Sequence, residues 1–256
     1  MHLNIYKNNE ELGRAAGTEA AVLLRSVLQE KWLARMVLAT GASQFATLTQ
    51  LLQEPGIDWS RVELFHLDEY IGLKADHPAS FRRYIRERVI DQLPPVHAIH
   101  YINGETDPAT ECWRLGKLLE SAPVDITLAG IGENGHLAFN DPPADFYARD
   151  AYIVVNLEED CRKQQLNEGW FESLDHVPIQ AISMSIYQLM RSKTIICSVP
   201  DSRKAMAVRN CLEQEISSRY PASVLRKHTD CRLYLDQQSA ALLSNDTITR
   251  FQTTDQ

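Results

Sequence analysis

Apolar positions along this chain recur at two spacings, and their alternation sketches a fold. After Asn8-x-x-Glu11, which has the form of a capping box, Leu12, Ala15, Ala16, Val22, Leu23, Val27 and Leu28 mark one face of a long helix that also carries Gly13 and Gly17. The order expected at the start is therefore helix first, then strand. Residues 36–39 are a short continuous apolar run, as a strand covered on both faces requires, and Phe45, Leu48, Leu51 and Leu52 resume the helical period. A second run over 62–67 ends at Asp68-Glu69-Tyr70. Pro78-Ala79-Ser80 opens a helix with Phe81, Tyr84, Ile85 and Val89 inward, and Asp107-Pro108 opens another that buries Trp113, Leu115, Leu118 and Leu119. Strands are expected over 126–129, 181–185, 193–199 and 231–235, with a helix after Asp201-Ser202 and a shorter one over 223–228. This alternation predicts an α/β chain: one domain over residues 1–244 with a mainly parallel sheet and helices on both faces, and a polar tail over 245–256 that frays.

Composition narrows the partners. The chain has 256 residues and a formal net charge of −8, without a Lys/Arg run, which argues against nucleic acid and anionic membranes. No stretch is long and apolar enough to span a bilayer, and the N-terminus lacks a basic segment leading into an apolar one. The five cysteines are widely spaced with no C-x-x-C pair, as expected of reduced thiols in a cytoplasmic protein. An anionic small molecule remains open as a ligand, and so does self-association.

Candidate chemistry gathers where strands end, since ligands of open parallel sheets collect beyond the carboxyl ends of their strands. The 126–129 strand runs into Gly130-x-Gly132-x-x-Gly135-His136. On spacing alone this is a dinucleotide fingerprint, but Pro142 and Pro143 come too soon for the helix that a pyrophosphate needs. The glycines are instead expected to turn the backbone and bring His136 to a substrate, with Asp141 as the carboxylate that fixes its tautomer. Thr40-Gly41-Ala42-Ser43 lies between strand and helix and can offer N–H groups and a hydroxyl to a phosphate, or Ser43 can serve as an N-cap. Lys204 stands at the start of another such helix, either neutralising the same phosphate or exposed in a first turn. Asp68 and Glu69 are adjacent carboxylates at a strand end. Their repulsion raises the pKa of at least one, which suits a general base, while a helix cap is the plainer alternative. His97-x-x-His100 is too slight for a metal, and none is expected.

Four stretches taken together resemble the glucosamine-6-phosphate deaminase/isomerase family, which is related to the 6-phosphogluconolactonases. They are Leu38-Ala-Thr-Gly-Ala-Ser43; Phe65-His-Leu-Asp-Glu-Tyr-Ile-Gly-Leu73 with His77-Pro78 downstream; Gly130-Ile-Gly-Glu-Asn-Gly-His-Leu-Ala-Phe-Asn-Asp-Pro142; and Ser202-Arg-Lys-Ala205. The resemblance implies a Rossmann-like domain that converts a 2-amino-2-deoxyhexose 6-phosphate to the ketose 6-phosphate and ammonia without metal or organic cofactor.

It further implies that His136 opens the sugar ring, supported by Asp141, and that Asp68 carries a proton between C2 and C1. Thr40, Gly41, Ala42, Ser43 and Lys204 would hold the phosphate, with Glu69 and Gly135 also at the substrate. The family's deaminases carry Asp where this chain has Asn134 and Glu where it has Asp141, so Asn134 enters the catalytic set as a neutral neighbour of His136. An Arg that helps bind phosphate in the deaminases has no match near Gly169-Trp170-Phe171, and Arg162 is the nearest candidate. The Asn form also resembles the galactosamine-6-phosphate enzymes, which leaves the C4 epimer open. Two rivals stand beside the deaminase: a lactonase with His136 as general base toward water, and a sugar-phosphate-binding regulator without turnover.

Overall fold

Strands that are apolar on both faces are stable only between two layers, and this chain provides those layers with helices. The computed structural model describes residues 1–251. Its elements are β1 (His2–Tyr6), α1 (Asn9–Glu30), β2 (Ala34–Leu38), α2 (Phe45–Gln53), β3 (Val62–His66), β4 (Asp68–Tyr70), α3 (Phe81–Arg88), β5 (Ala98–His100), α4 (Pro108–Glu120), β6 (Ile126–Ala129), β7 (Tyr152–Asn156), α5 (Glu159–Asn167), β8 (Gln180–Met184), α6 (Ile186–Leu189), β9 (Thr194–Val199), α7 (Ala205–Glu213), β10 (Cys231–Asp236) and α8 (Asn245–Phe251). Seven strands form a parallel sheet in the order β1-β10-β9-β6-β2-β3-β5. Every residue of β2, β3, β6 and β9 is buried.

The pleat sends successive side chains to opposite faces, and the core divides accordingly. Met36, Leu38, Leu64, Leu128 and Ile196 pack with Leu12, Ala16 and Leu24 of α1 and Leu48 and Leu51 of α2. Val37, Phe65, Ala129, Ile195 and Cys197 pack with Leu115 and Leu119 of α4 and Ala207 and Val208 of α7. Each fully buried Leu or Ile contributes on the order of 1.5–3 kcal/mol. The chain leaves β2 toward β3 on one side and resumes at β6 on the other, so the loops after β2 and β6 part from each other and open a crevice.

Several elements differ from the sequence reading. The first element is a strand, β1, paired with β10; Leu3 alone of its side chains is buried, so it gave no periodic signal. The run expected over 181–185 does form a strand, β8, but it lies outside the parallel sheet. It pairs antiparallel with β4 and β7 in a second sheet of order β4-β8-β7. Trp113 is 65% exposed rather than inward: α4 is turned so that Glu111 is buried, accepting from Asn103 N and from the Arg114 guanidinium. Val22 is likewise 47% exposed. The short helix over 223–228 is a 3₁₀ segment, Pro221–Lys227. The polar end of the chain forms α8, which lies against β1 with Phe251 on the core; residues 252–256 lie outside the described residues.

Gly13 and Gly17, which look like defects in α1, are what lets it pack. A Cβ on Gly13 would lie 2.2 Å from Ala46 Cβ, and one on Gly17 would lie 2.5 Å from Thr47 O. This close approach fixes α2, and with it the loop after β2.

Candidate active site

Loops from three neighbouring parallel strands meet the start of the second sheet around a cavity of about 440 Å³. Its wall includes Thr40, Gly41, Ala42, Ser43, Asp68, His136 and Lys204. Of the residues expected at the site, Asn134 and Asp141 stand behind His136, Glu69 points away, and Gly135 faces a separate small pocket on the far side of the loop.

After β2 the backbone passes through Gly41 at φ +101°, a conformation that favours glycine, with open space where a Cβ would stand. A 3₁₀ turn, Ala42–Gln44, then leads into α2. Ser43 makes no cap hydrogen bond; its hydroxyl lies on the cavity wall and accepts from Gln44 Nε2 at 3.2 Å. Gln44 anchors the turn by donating to Ala129 O and Ser198 O at 3.2 and 3.3 Å, tying the loop after β2 to the strand ends of β6 and β9.

Asp68 and Glu69 do not end the parallel strand. They open β4, and the alternation of that strand separates them. Glu69 is fully buried, accepting from Ser80 Oγ at 2.8 Å, Arg82 N at 2.9 Å and Tyr70 N at 2.9 Å. It caps α3 and is not a cavity residue. Burial raises its pKa, and those donors oppose the rise. Asp68 takes the other side, at the cavity, where its carboxylate accepts no hydrogen bond from the described residues. Burial first, and the Glu69 charge second, push it up to about 8. Its backbone is held by His66, whose Nδ1 lies 2.9 Å from Asp68 O while its Nε2 accepts from Ile102 N at 2.8 Å. Those two partners fix a neutral tautomer protonated on Nδ1, and burial lowers the pKa of His66 to about 3.

The loop after β6 presents His136. No helix begins there, in keeping with the rejection of a dinucleotide site. Gly132 N donates to His136 O at 3.0 Å, and the imidazole folds back over Gly132, where a Cβ would meet Cε1, Nε2 and Nδ1 at 2.2–2.4 Å. Asn140 fastens the loop to the second sheet by donating to Leu137 O and Met184 O at 2.8 and 2.9 Å. His136 Nδ1 lies 3.1 Å from Asp141 Oδ1, with the ring N–H aimed obliquely to it. Asn134 bridges the pair, donating to Asp141 Oδ1 at 2.9 Å and accepting from His136 N at 3.0 Å. Burial drives the Asp141 carboxyl up, but His136, Asn134 and the Glu158 N–H outweigh it and hold the group below its ordinary range.

Lys204 closes the 3₁₀ turn Ser202–Lys204 that follows β9. Asp201, at φ +87°, accepts from Arg203 N and receives its own fixing from Asp236, its N–H donating to that carboxylate at 3.1 Å. The Lys204 ammonium is buried, with its nearest carboxylate, Glu133, 3.9 Å away. Desolvation lowers its pKa, only partly offset by Glu133 and Glu168. Among the described residues such a cation lacks a close counter-charge, and an anionic ligand would supply one.

Several wall residues escaped the sequence reading. Gln164 and Gln165 reach the cavity from α5, a helix too polar to show an apolar stripe, and Glu168 from the residue that caps its C-terminal end. Arg203 is a second cation on the wall, paired with Asp201 at 2.9 Å and Glu133 at 3.3 Å. Arg162, the candidate for the missing phosphate Arg, is occupied elsewhere, donating to Val177 O at 3.0 Å and to Leu174 O at 2.5 Å. Gly132 was legible as a glycine of the loop, but its contact with the imidazole was not. No helix among the described residues is long and apolar enough to cross a membrane.

Residues 7–234 match the family described as glucosamine-6-phosphate isomerases/6-phosphogluconolactonase. The chain is 37% identical over 229 residues to glucosamine-6-phosphate deaminase 1 of Bacillus subtilis strain 168, covering 87% of this chain and 93% of that one. It is 34% identical over 248 residues to the glucosamine-6-phosphate deaminase of Shouchella clausii KSM-K16, covering 94% and 97%. Among solved structures, a monomeric glucosamine-6-phosphate deaminase matches with a TM-score of 0.85 at 34% identity, over 95% of this chain and 100% of that one. A putative 6-phosphogluconolactonase from Neisseria gonorrhoeae FA 1090 has the same fold, with a TM-score of 0.74 at 20% identity over 92% and 99% of the two chains.

Proposed function

The chain belongs to the glucosamine-6-phosphate isomerase/6-phosphogluconolactonase family, and on that premise we propose that it is a cytoplasmic deaminase/isomerase. It releases ammonia and a ketose 6-phosphate from a 2-amino-2-deoxyhexose 6-phosphate, glucosamine 6-phosphate first, with no cofactor. The observation that carries this reading is one cavity that joins a carboxylate with a pKa of about 8, an imidazole backed by a carboxylate, and an ammonium short of counter-charge. The free thiols support the compartment.

The residues supply each step. The phosphate sits on the Thr40–Ser43 turn and Lys204, where N–H groups, a hydroxyl and the buried ammonium complement its charge. His136 Nε2 takes the proton of the C1 hydroxyl and returns one to the ring oxygen, opening the pyranose, and Asp141 stabilises the imidazolium between the two transfers. Asp68 removes the C2 proton of the open aldose while His136 Nε2 carries a proton from the substrate ammonium to O1, giving an enolamine, and Asp68 then delivers its proton to C1. That leaves a protonated ketimine at C2, which water hydrolyses to the ketone and ammonium. A base with a pKa near 8 is well matched to abstraction from carbon at neutral pH. Relatives at 33–37% identity named as deaminases favour this reaction over lactone hydrolysis, where the likeness is one of fold.

Ammonia and ketose phosphate, measured separately after incubation with glucosamine 6-phosphate, galactosamine 6-phosphate and 6-phosphogluconolactone, test the proposal. Equimolar ammonia and ketose phosphate from an amino sugar, unaffected by EDTA, is the expected result. Rapid lactone hydrolysis without ammonia from either epimer overturns it.

A further inference from the structure

Behind the His136–Asp141 pair lies a buried thiol, Cys161, that the reaction does not use. His136, Asp141 and Cys161 each offer a ligand atom, and the three atoms lie within 4.8 Å of one another. His136 is 8% exposed and Cys161, on α5, 1% exposed. The His136 Nδ1 atom is buried and lacks a well-directed hydrogen bond, so a lone pair or proton there is turned toward Asp141 and the thiol with its bonding capacity unspent. We propose that these three residues form a binding site for a thiophilic divalent cation of the zinc class, and that its occupation switches the enzyme off.

The donor set is one imidazole nitrogen, one carboxylate oxygen and one sulfur, which suits zinc and excludes magnesium or calcium, which take oxygen ligands. Tetrahedral zinc sets such ligands about 3.4–3.7 Å apart. His136 Nδ1 and Asp141 Oδ1 are already 3.1 Å apart, and the remaining separations, none above 4.8 Å, need to close by about an ångström at most. The surroundings are negative: burial and then Asp141, Asp68 and Glu168 hold the thiol well above its ordinary pKa. A dication relieves the same field that disfavours a thiolate.

The protons balance as follows. The thiol proton leaves to solvent as sulfur binds the cation. The proton on His136 Nδ1 moves to Nε2 so that the Nδ1 lone pair can coordinate. No electron is transferred. Nε2 then presents N–H to the cavity and has no lone pair for the C1 hydroxyl proton, while the Asp141 oxygen that backs the imidazole is bound to the cation. The inhibitory part of this inference rests on the proposed role of His136; the binding part does not.

The test uses the full chain after removal of metal by chelation, titrated with Co²⁺ as an optical probe and with Zn²⁺ in a weak buffer. A near-ultraviolet thiolate-to-cobalt band and release of about one proton per zinc are expected, both absent in Cys161→Ala and Cys161→Ser. Zinc should abolish ammonia release by the native protein, with at least tenfold weaker inhibition of Cys161→Ala, whose activity in chelator matches the native level. A band that persists in Cys161→Ala would assign the metal to other thiols, such as buried Cys197, Cys211 and Cys231, and overturn the proposal. Absence of any band in the native protein overturns it equally. The optical titration needs no substrate, so failure of the metal site and failure of the deaminase reading are separately visible.

Discussion

Replacing Asp68 by Asn should destroy activity and raise stability, and the size of the gain follows from burial. The folded carboxyl ionises at about 8, against an ordinary 3.8. Between those values the folded protein holds a proton that the unfolded chain has released, so the native contribution is intact below 3.8 and is lost as pH rises toward 8. Each pH unit costs about 1.4 kcal/mol, which makes the cost at pH 7 about 4 kcal/mol at most. Water entering the cavity screens the carboxylate and lowers that bound. The Asn variant keeps the shape and carries no such cost. Paired thermal unfolding of both proteins from pH 5 to 8.5 should show the variant's advantage growing with pH and levelling off above 8, at ~2–4 °C in Tm per kcal/mol. Exchange of the substrate C2 proton in deuterated water should disappear in the variant, and kcat/KM of the native enzyme should rise with pH toward 8. An advantage that stays flat across this range would refute the buried, protonated state of Asp68, and near-native C2 exchange would refute its role as base.

Gly132→Ala should lower kcat by on the order of a hundredfold while phosphate binding holds, because its Cβ would meet the His136 ring at 2.2–2.4 Å; a near-native kcat in a steady-state assay refutes the packing. Lys204→Ala should weaken binding by roughly 1.5–3 kcal/mol, seen in KM and in inhibition by sugar phosphates, and unchanged values would place the ammonium away from the phosphate. His66→Asn should remove an acid-side loss of stability: the imidazole is held at about 3 against an ordinary 6.5, so the native protein loses about 1.4 kcal/mol per pH unit below 6.5. Equal acid slopes in native and variant unfolding curves would contradict a neutral buried imidazole. Asn134→Asp should place a carboxylate against Asp141, now 2.9 Å from the Asn amide, and raise the Asp141 pKa; a pH–rate profile identical to the native one would show that position 134 does not act on the His136–Asp141 pair.

The parallel sheet was legible because β2, β3, β6 and β9 are buried on both faces and read as unbroken apolar runs. The second sheet was not, since β8 carries the same kind of run and nothing in a single strand reveals the direction of its partner. β1 and β5 are only part-buried, and their stability comes from pairing with β10 and β3 over long sequence separations. In the site, glycine loops and strand ends marked Thr40–Ser43 and His136, but the adjacency of Asp68 and Glu69 concealed opposite environments. The alternation of β4 sends one carboxylate to the cavity and the other to cap α3. The long-range contacts made by α5 left no periodic signal, so its cavity residues were invisible beforehand.

What sets the site apart from the rest of the interior is incomplete compensation. Glu69 is buried and has donors on both oxygens, and His66 is buried with both nitrogens engaged. Asp68 and Lys204 are buried on the same cavity with no such partners at hydrogen-bonding distance among the described residues, and both are displaced toward their neutral forms. In a stable interior this pattern is a cost, and replacement by neutral groups would remove it. An amino-sugar phosphate brings the missing charges in the complementary order, an anion for Lys204 and an ammonium with an acidic C–H for Asp68. Binding should therefore stabilise the fold by more than its contacts alone, and the gain in Tm with saturating ligand should shrink in Asp68→Asn and Lys204→Ala. An undiminished gain in both variants would mean that the ligand's charges meet other groups.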